Sequence, residues 1–374
     1  MIIIILCITF LYLLLIGSFI YGFNKVKIFQ FEETSLKTNF SIIIPFRNEA
    51  ENLSELLGSI SKLKYPISSF EIVFVNDYSE DMSVQIIKNH FEKTEIDFKI
   101  IQNIRRSNSP KKDAISAAID LAKNDWIITT DADCLLPKLW LNCFNDYINK
   151  SQANMVSGPV TYYNLKTFLD RFQAFDFLSL IGATIGGFGI QFPFMCNGAN
   201  LAYKKNFFKT LNGFEGNRDI ASGDDVFLLQ KAIENYKDSV LFLKAKEAIV
   251  LTKPQPNIAS LKSQRIRWAS KTTHYKNNFG RLTGLIVLLM NAGLISLLLF
   301  VITDYLDAIF LFIVFLLKIT IDLILLIKTA SFFNQKNIFG SYILSAFIYP
   351  FFSTSIAVFS IFSNYKWKDR AYRK

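Results

Sequence analysis

The sequence is poor in histidine, with only His90 and His274 in 374 residues. That argues against a histidine metal centre and against a Ser-His-Asp triad, because both need imidazoles in quantity or at set spacing. Cysteine is scarce too. Cys7, Cys134, Cys143 and Cys196 form no C-x-x-C pair, so neither a zinc knuckle nor a disulfide framework is expected. A reduced, cytoplasmic setting fits this usage. No internal repeat and no low-complexity tract interrupts the chain. Residues 2–21, "IIIILCITFLYLLLIGSFIY", lack charge altogether. No basic region precedes that run and no small-x-small cleavage site follows it, so the expectation is a retained anchor instead of a cleaved signal.

What is present is apolar surface in blocks. The first run, read as a helix over residues 1–23, is long enough to cross a bilayer. Three more blocks lie near 284–302, 308–327 and 339–362, giving a C-terminal region of about three apolar segments over 284–362. Residues 40–275 read as a soluble domain, and 363–374 as a basic tail. Lys25, Lys27 and Lys37 follow the first run, and Lys271, Lys276 and Arg281 precede the second. Basic flanks stay inside. The middle domain is therefore expected at the cytoplasmic face of an inner (cytoplasmic) membrane, in a multi-pass protein. Asp304 and Asp307 suit an outer loop, and Lys328 and Lys336 an inner one. Three full crossings would leave the basic tail outside, against its charge, unless the last block is broken by Pro350 and re-enters.

The formal net charge is +10, from 41 basic and 31 acidic residues. The basic residues gather beside apolar blocks and in the tail, which suits anionic lipid head groups better than nucleic acid. A membrane partner is expected and a nucleic-acid partner is not.

Within the middle domain, "FSIIIPF" (40–46) and "FEIVFVND" (70–77) read as buried strands. Ala50, Leu53, Leu56, Leu57, Ile60 and Leu63 recur at helical spacing. A helix near Met82–Phe91, a strand near Phe98–Ile101, a helix in "KKDAISAAIDLAK" and a strand "WIITT" (126–130) follow. Alternating strands and helices predict an α/β domain with a largely parallel sheet. Ligands bind such sheets outside the carboxyl ends of the strands. Asp77 ends one strand, and Asp131 and Asp133 follow another. Two carboxylates one residue apart repel each other unless a cation lies near. Mg²⁺ uses one or two carboxylates and lets substrate phosphates complete its shell. The pair therefore suggests a metal–diphosphate site for Mg²⁺ or Mn²⁺.

The segments "SIIIPFRNE", "IVFVNDYSED", "PKKDAI", "TTDADC", "CNGANLAYKK", "SGDDVFLL" and "QRIRW" occur in one order. The ordered series resembles the family 2 glycosyltransferases, membrane-associated enzymes of the GT-A fold (a Rossmann-like nucleotide-diphospho-sugar transferase fold), over about residues 40–270. The resemblance implies a metal-dependent hexosyltransferase that inverts the anomeric centre and uses a nucleotide-sugar donor, most commonly a UDP-sugar. It implies that Pro45 and Glu49 border the nucleotide and that Asp77 contacts the base. It places Asp131 near the ribose or sugar, Asp133 (with Asp131) on the metal, and Lys111 at the donor. Asp225, with Asp224 beside it, matches the catalytic base, and Gln264, Arg267 and Trp268 match Q-x-x-R-W on the donor side. Asn76 and Tyr78 depart from the usual neighbours of Asp77, which leaves the base open. "GDD" departs from the common acidic motif, which leaves Asp224 and Asp225 interchangeable. Pro110 stands where glycine often precedes the lysine.

Plainer readings stand beside these. Asp77 can cap the next helix. Asp224 and Asp225 can be favourable first-turn charges. Lys111 and Lys112 can face solvent. Gln264–Trp268 can lie on an interfacial basic helix. Lys318 and Asp322, four apart in an apolar block, are expected to pair within the bundle. "DFLSLIGATIGGFGIQFPF" (176–194) reads equally as core or as a flexible surface beside a lipid. For the acceptor, only three C-terminal apolar blocks are poor material for a polymer channel. A lipid acceptor is favoured, with processive polysaccharide synthesis as the alternative. A haloacid-dehalogenase-like phosphatase also uses D-x-D, but Leu135 stands where it needs Thr or Val, and "QRIRW" goes unexplained. A scaffold without activity would not need all these acids.

Overall fold

In the computed structural model, which describes residues 2–362, 365–367 and 370–372, the uncharged first run forms one helix, α1 (Ile2–Lys25), and "FSIIIPF" forms the strand β1 (Phe40–Phe46). The chain divides into two units. Residues 27–163 and 195–253 form the α/β unit. Residues 1–26, 164–194 and 254–374 form the helical unit. Residues 164–194 and 254–275, expected inside the middle domain, therefore belong with the apolar helices.

In the α/β unit β1 is followed by α2 (Ala50–Ile60), β2 (Phe70–Asn76), α3 (Ser83–Phe91), β3 (Asp97–Gln102), α4 (Pro110–Leu121), β4 (Trp126–Thr129) and α5 (Trp140–Lys150). Then come β5 (Met155–Ser157), β6 (Val160–Tyr162), β7 (Leu201–Lys204), α7 (Lys205–Thr210), α8 (Asp224–Tyr236), β8 (Val240–Phe242) and β9 (Val250–Thr252). The main sheet has seven strands in the order β3-β2-β1-β4-β7-β5-β8. β1 pairs in parallel with both β2 and β4, and β2 with β3, whereas β7 runs antiparallel to β4 and β5. β6 and β9 form a separate parallel pair.

The central strand is apolar throughout because both of its faces are covered; Phe40, Ile42, Ile43 and Ile44 are wholly buried. Pro45 sits where this costs least. It faces Val75 of β2, while on the other side β4 ends at Thr129, opposite Ile43. No β4 partner needs the amide that proline lacks. Strand order reverses at β1, so the carboxyl ends of β1, β2 and β4 open on one crevice.

The helical unit contains α1, α6 (Phe168–Gly189), α9 (Ile258–Ser270), α10 (Asn278–Ile302), α11 (Ala308–Phe332) and α12 (Tyr342–Phe362). Four stretches, 2–25, 278–302, 308–332 and 336–362, are long and apolar enough to cross a membrane. At about 1.5 Å per residue they match or exceed a hydrocarbon core about 30 Å thick. Asn277 caps α10 by accepting the Gly280 amide at 2.9 Å, and Asp307 caps α11 by accepting that of Ile309 at 2.8 Å. The break at Pro350 that would bring the tail back inside is absent. α12 runs through it, because a proline removes only one helical bond while apolar surroundings penalise releasing the others. Of the basic tail 363–374, only an antiparallel pair, β10 (Tyr365–Trp367) and β11 (Arg370–Tyr372), lies within the described residues.

The glycine-rich 176–194 stretch is mostly helix core, not a loose surface. A Cβ on Gly186 would lie 2.5 Å from the Phe19 carbonyl oxygen, and one on Gly189 1.8 Å from that of Gly22. Small residues thus let the α1 and α6 backbones touch. Gly186→Ala should destabilise the protein by about 1–3 kcal/mol through overpacking. Gly17→Ala, with nothing within 4 Å of the new methyl, should be neutral or stabilising by up to about 1 kcal/mol, since glycine is a poor helix residue. Thermal unfolding in detergent checks the opposite signs.

Candidate active site

The site is built at the carboxyl ends of β1, β2 and β4. After β1, Arg47 reaches over to the β2 side. Its guanidinium donates to the Asp77 carbonyl at 2.9 Å, to that of Tyr78, and to the Glu80 carboxylate at 3.2 Å. Asn48 and Tyr78 adopt left-handed backbone, with φ of 50° and 57°. Such strain persists where surrounding bonds fix it. Here Asn48 accepts the Glu80 amide at 2.9 Å and donates its own amide to Ser79 Oγ at 3.1 Å. Glu49 is buried; its carboxylate accepts from Asn52 at 2.8 Å and its amide donates to Ser83 Oγ at 2.9 Å.

Asp77 does not cap α3. The first amide of that helix, Ser83, donates to Asp81 at 3.0 Å instead. The Asp77 carboxylate instead accepts the fork of Arg105, from Nε and Nη2 at 3.0 Å each, and the side-chain amide of Asn103 at 2.8 Å. A planar guanidinium matches a carboxylate in this way. Asn103 also donates to the Pro110 carbonyl at 3.0 Å, tying Asp77 to the first turn of α4. The loop between is set by Asp113, which accepts the amides of Arg106 and Ser107 at 2.9 Å and the Ser107 hydroxyl at 2.9 Å. Neither Arg105 nor Asn103 stood out in the sequence, because each lies beyond β3, far along the chain from Asp77.

The next residues of α4 divide. Lys112 is buried, donating to the carbonyls of Asn217 and Ile220 at 2.7 and 2.9 Å, so the solvent-facing reading fails for it. Lys111 turns to the acids. Its ammonium lies 2.7 Å from Asp131 Oδ1 and 3.4 Å from Asp224 Oδ2. Burial alone would lower its pKa, but the Asp131, Asp224 and Asp225 carboxylates outweigh burial and hold it well above the usual lysine range.

Asp131 and Asp133 occupy the turn after β4, closed by the Cys134 amide donating to the Asp131 carbonyl at 3.2 Å. The Asp131 side chain is 39% exposed, so it can meet a ligand while paired with Lys111. The Cys134 thiol lies 3.7 Å from Asp133 Oδ1. Burial first, then the charges of Asp133 and Asp131, push that thiol well up.

Asp224 and Asp225 open α8 after Gly223, whose φ of 83° only glycine adopts readily. They are therefore first-turn charges, and they also face the cluster. Asp225 Oδ2 accepts the Gly198 amide at 3.0 Å and its Oδ1 that of Val226 at 2.7 Å. Gly198 is pinned in turn: its carbonyl accepts the Thr129 hydroxyl of β4 at 2.7 Å. A Cβ at 198 would lie 2.9 Å from Asp224 Oδ2 and 3.6 Å from Lys111 Nζ. The "CNGAN" segment thus brings backbone close to the acids where a side chain would not fit.

The structure joins Lys111, Asp131 and Asp224 by direct contact, with Asp225 next to Asp224 in the chain and held by the Gly198 amide. Asp77 connects to them through Asn103 and α4, and Pro45 and Glu49 border the same strand ends. Gln264, Arg267 and Trp268 lie on α9 in the helical unit. There the Gln264 side-chain oxygen accepts from Arg265, and Trp268 carries the Arg265 guanidinium 4.4 Å from its ring centroid. Among the described residues, no three His, Cys, Asp or Glu side chains gather to hold a metal unaided. Asp131 and Asp133 nevertheless fit Mg²⁺ or Mn²⁺, hard ions that take one or two carboxylates and complete their shell from substrate phosphates.

Residues 41–211 match the model of glycosyl transferase family 2. The poly-beta-1,6-N-acetyl-D-glucosamine synthase of Staphylococcus epidermidis is 24% identical over 269 residues, covering 68% of this chain and 61% of that protein. The poly(ribitol-phosphate) beta-N-acetylglucosaminyltransferase TarS of Staphylococcus aureus is 32% identical over 111 residues, 30% of this chain and 17% of that protein. Among solved structures, a mannosyltransferase from Pyrobaculum calidifontis in complex with GDP-Man and Mn²⁺ superposes with a TM-score of 0.59 at 16% identity, covering 96% of this chain and 98% of that one. The chain spans about three fifths of the length of the S. epidermidis synthase. The structural likeness shows the fold, one of the GT-A type, and residues 41–211 are the part of the chain that is similar to glycosyl transferase family 2.

Proposed function

We propose that the protein transfers a sugar from a nucleotide-sugar donor, most readily a UDP-sugar, to a lipid acceptor at the cytoplasmic face of a membrane. The observation that carries the transfer reading is the Lys111–Asp131–Asp224–Asp225 cluster at the carboxyl ends of the strands. The four long apolar helices and the basic residues flanking them support the membrane acceptor and its side. A second reading, processive polysaccharide synthesis, is favoured by the match to the S. epidermidis synthase over 68% of this chain.

In this reading the acceptor hydroxyl oxygen attacks the anomeric carbon. The bond from that carbon to the diphosphate oxygen breaks with inversion. Asp225 takes the hydroxyl proton, with Asp224 the alternative, and a positioned carboxylate of this kind contributes about 10²–10⁴-fold. Pro45 and Glu49 line the nucleotide and Asp77 faces its base, held in place by Arg105 and Asn103. The Lys111 ammonium offsets charge on the leaving diphosphate. Asp131 and Asp133 would hold Mg²⁺ or Mn²⁺, which supplies Lewis-acid stabilisation of that same charge. Gln264, Arg267 and Trp268 are assigned to the donor by the motif alone, and Arg267→Ala tests that assignment through the donor KM.

Purified protein in detergent, given UDP- and GDP-sugars, Mn²⁺ and a total lipid extract, should release nucleotide and form a new glycolipid. Asp225→Asn should lose about 10²–10⁴-fold in kcat with donor binding retained. Asp133→Ala should lose metal-dependent turnover. If Asp224→Asn is inactive and Asp225→Asn is not, the base is Asp224. Release of nucleotide into an insoluble polymer would replace the lipid acceptor by the synthase reading. No release from any donor by folded protein would sink both. Gly198→Ala should fold yet lose about 10–100-fold in turnover, because displacing Asp224 by even part of an ångström misplaces the reacting groups; wild-type kinetics in that variant would show that the cluster's spacing is not critical.

A further inference from the structure

The helical unit holds a set of buried polar groups that the transfer chemistry does not explain. Arg265 and Asp176 form an ion pair, Nε to Oδ2 at 2.6 Å, with side chains only 5% and 8% exposed. Arg265 belongs to α9, Asp176 to α6. The same guanidinium donates to Gln264 and stacks 4.4 Å from the ring centroid of Trp268. Trp268 also meets Phe177 of α6, with ring centroids 6.1 Å apart. So the arginine between the two motif residues, which the Q-x-x-R-W spacing passes over, contacts both of them.

The chain of contacts continues into the apolar helices. Tyr349 of α12 lies beside Asp176, close enough for its hydroxyl and that carboxylate to interact. The Lys318 ammonium lies 5.1 Å over the Tyr349 ring and 2.9 Å from Asp322 on the same helix, α11. The Tyr12 hydroxyl of α1 donates to Asp322 at 2.6 Å. Five helices are thus linked by one run of polar side chains. Ionisable groups among apolar helices are costly and persist where they pair and serve a purpose. A buried pair adds little net stability compared with apolar residues of like size, so stability alone is a weak reason to keep Asp176 and Arg265. Geometry is a stronger one, since a guanidinium fixed by a carboxylate has one orientation to offer its neighbours.

We propose that Asp176 and Arg265 are positioning residues: their buried ion pair sets the side chains of Gln264 and Trp268, and the run Tyr349–Lys318–Asp322–Tyr12 ties that setting to the apolar helices. The proposal rests on the reading that Gln264 and Trp268 meet the donor. Removing the pair raises the donor KM and leaves kcat at saturating donor nearly unchanged, because the reacting carboxylates lie elsewhere.

The test uses the full chain in lipid nanodiscs. Asp176→Asn strands the arginine, so its failure to fold would by itself say little. The double variant Asp176→Leu with Arg265→Leu removes both charges together and should keep its unfolding temperature. The expected result is a tenfold or greater rise in donor KM in both variants, with partial rescue by Asp176→Glu. Trp268 emission, isolated by subtracting each spectrum from that of its Trp268→Phe partner, should shift in Asp176→Asn. A folded double variant with wild-type donor KM would overturn the proposal, as would Trp268 emission unaltered by Asp176→Asn. If Trp268→Ala itself has wild-type donor KM, the donor reading of the motif falls, and the emission measurement alone then decides whether the pair positions the ring.

Discussion

Mutual repulsion among carboxylates is the constraint on which the α/β unit is arranged. Asp131 and Asp133 share one turn, and Asp224 and Asp225 open a helix beside them. In a protein interior such charges interact far more strongly than in water. Lys111 answers this directly through Asp131 and Asp224, and backbone amides answer it for Asp225. The surroundings follow from that need. α4 starts where Lys111 can reach, Asn103 and Asp113 hold the loop leading to it, and Gly198 leaves room for a carboxylate oxygen. The Asp77–Arg105 fork applies the same rule at the end of β2.

In the helical unit the problem is the reverse, because apolar surface is plentiful and polar groups are few. Close approach is secured by absent side chains at Gly22, Gly186 and Gly189, not by added ones. The buried charges are matched: Lys318 to Asp322, Arg265 to Asp176. Among apolar helices an unmatched buried charge would be costly, so these contacts also specify which helix faces meet.

The parallel core was legible because its signals are local. The strand over 40–46 and the helix over 82–91 announce themselves through run length and helical spacing, and the structure places them within a residue of those bounds. Asp77 and the D-x-D pair were legible as strand-end residues for the same reason. The helical 50–63 pattern ended earlier, at Ile60, since the periodic Leu63 lies in the turn beyond. What could not be read depends on pairing across the chain. β7 enters the sheet antiparallel between β4 and β5, and three- or four-residue strands carry too little pattern to show it. Lys112 looked like any surface lysine, yet two carbonyls more than a hundred residues away receive it. Asp176 opens an oily run, and its partner Arg265 lies 89 residues further along the chain. The ordered motifs pointed to the family that residues 41–211 match, where local physics alone gave only an α/β sheet with clustered acids.

The central claim is that Lys111 is the cation around which the acidic cluster is organised and which then meets the donor's diphosphate. The most direct measurement is the affinity for UDP or GDP, whichever the working donor contains, by calorimetry on wild-type protein and on Lys111→Met, with and without Mn²⁺. The account predicts that Lys111→Met stays folded and loses about tenfold or more in affinity in both conditions, as expected when a part-buried cation is withdrawn from a phosphate. Unchanged affinity in the folded variant would contradict it and would leave Lys111 as a partner of Asp131 and Asp224 alone.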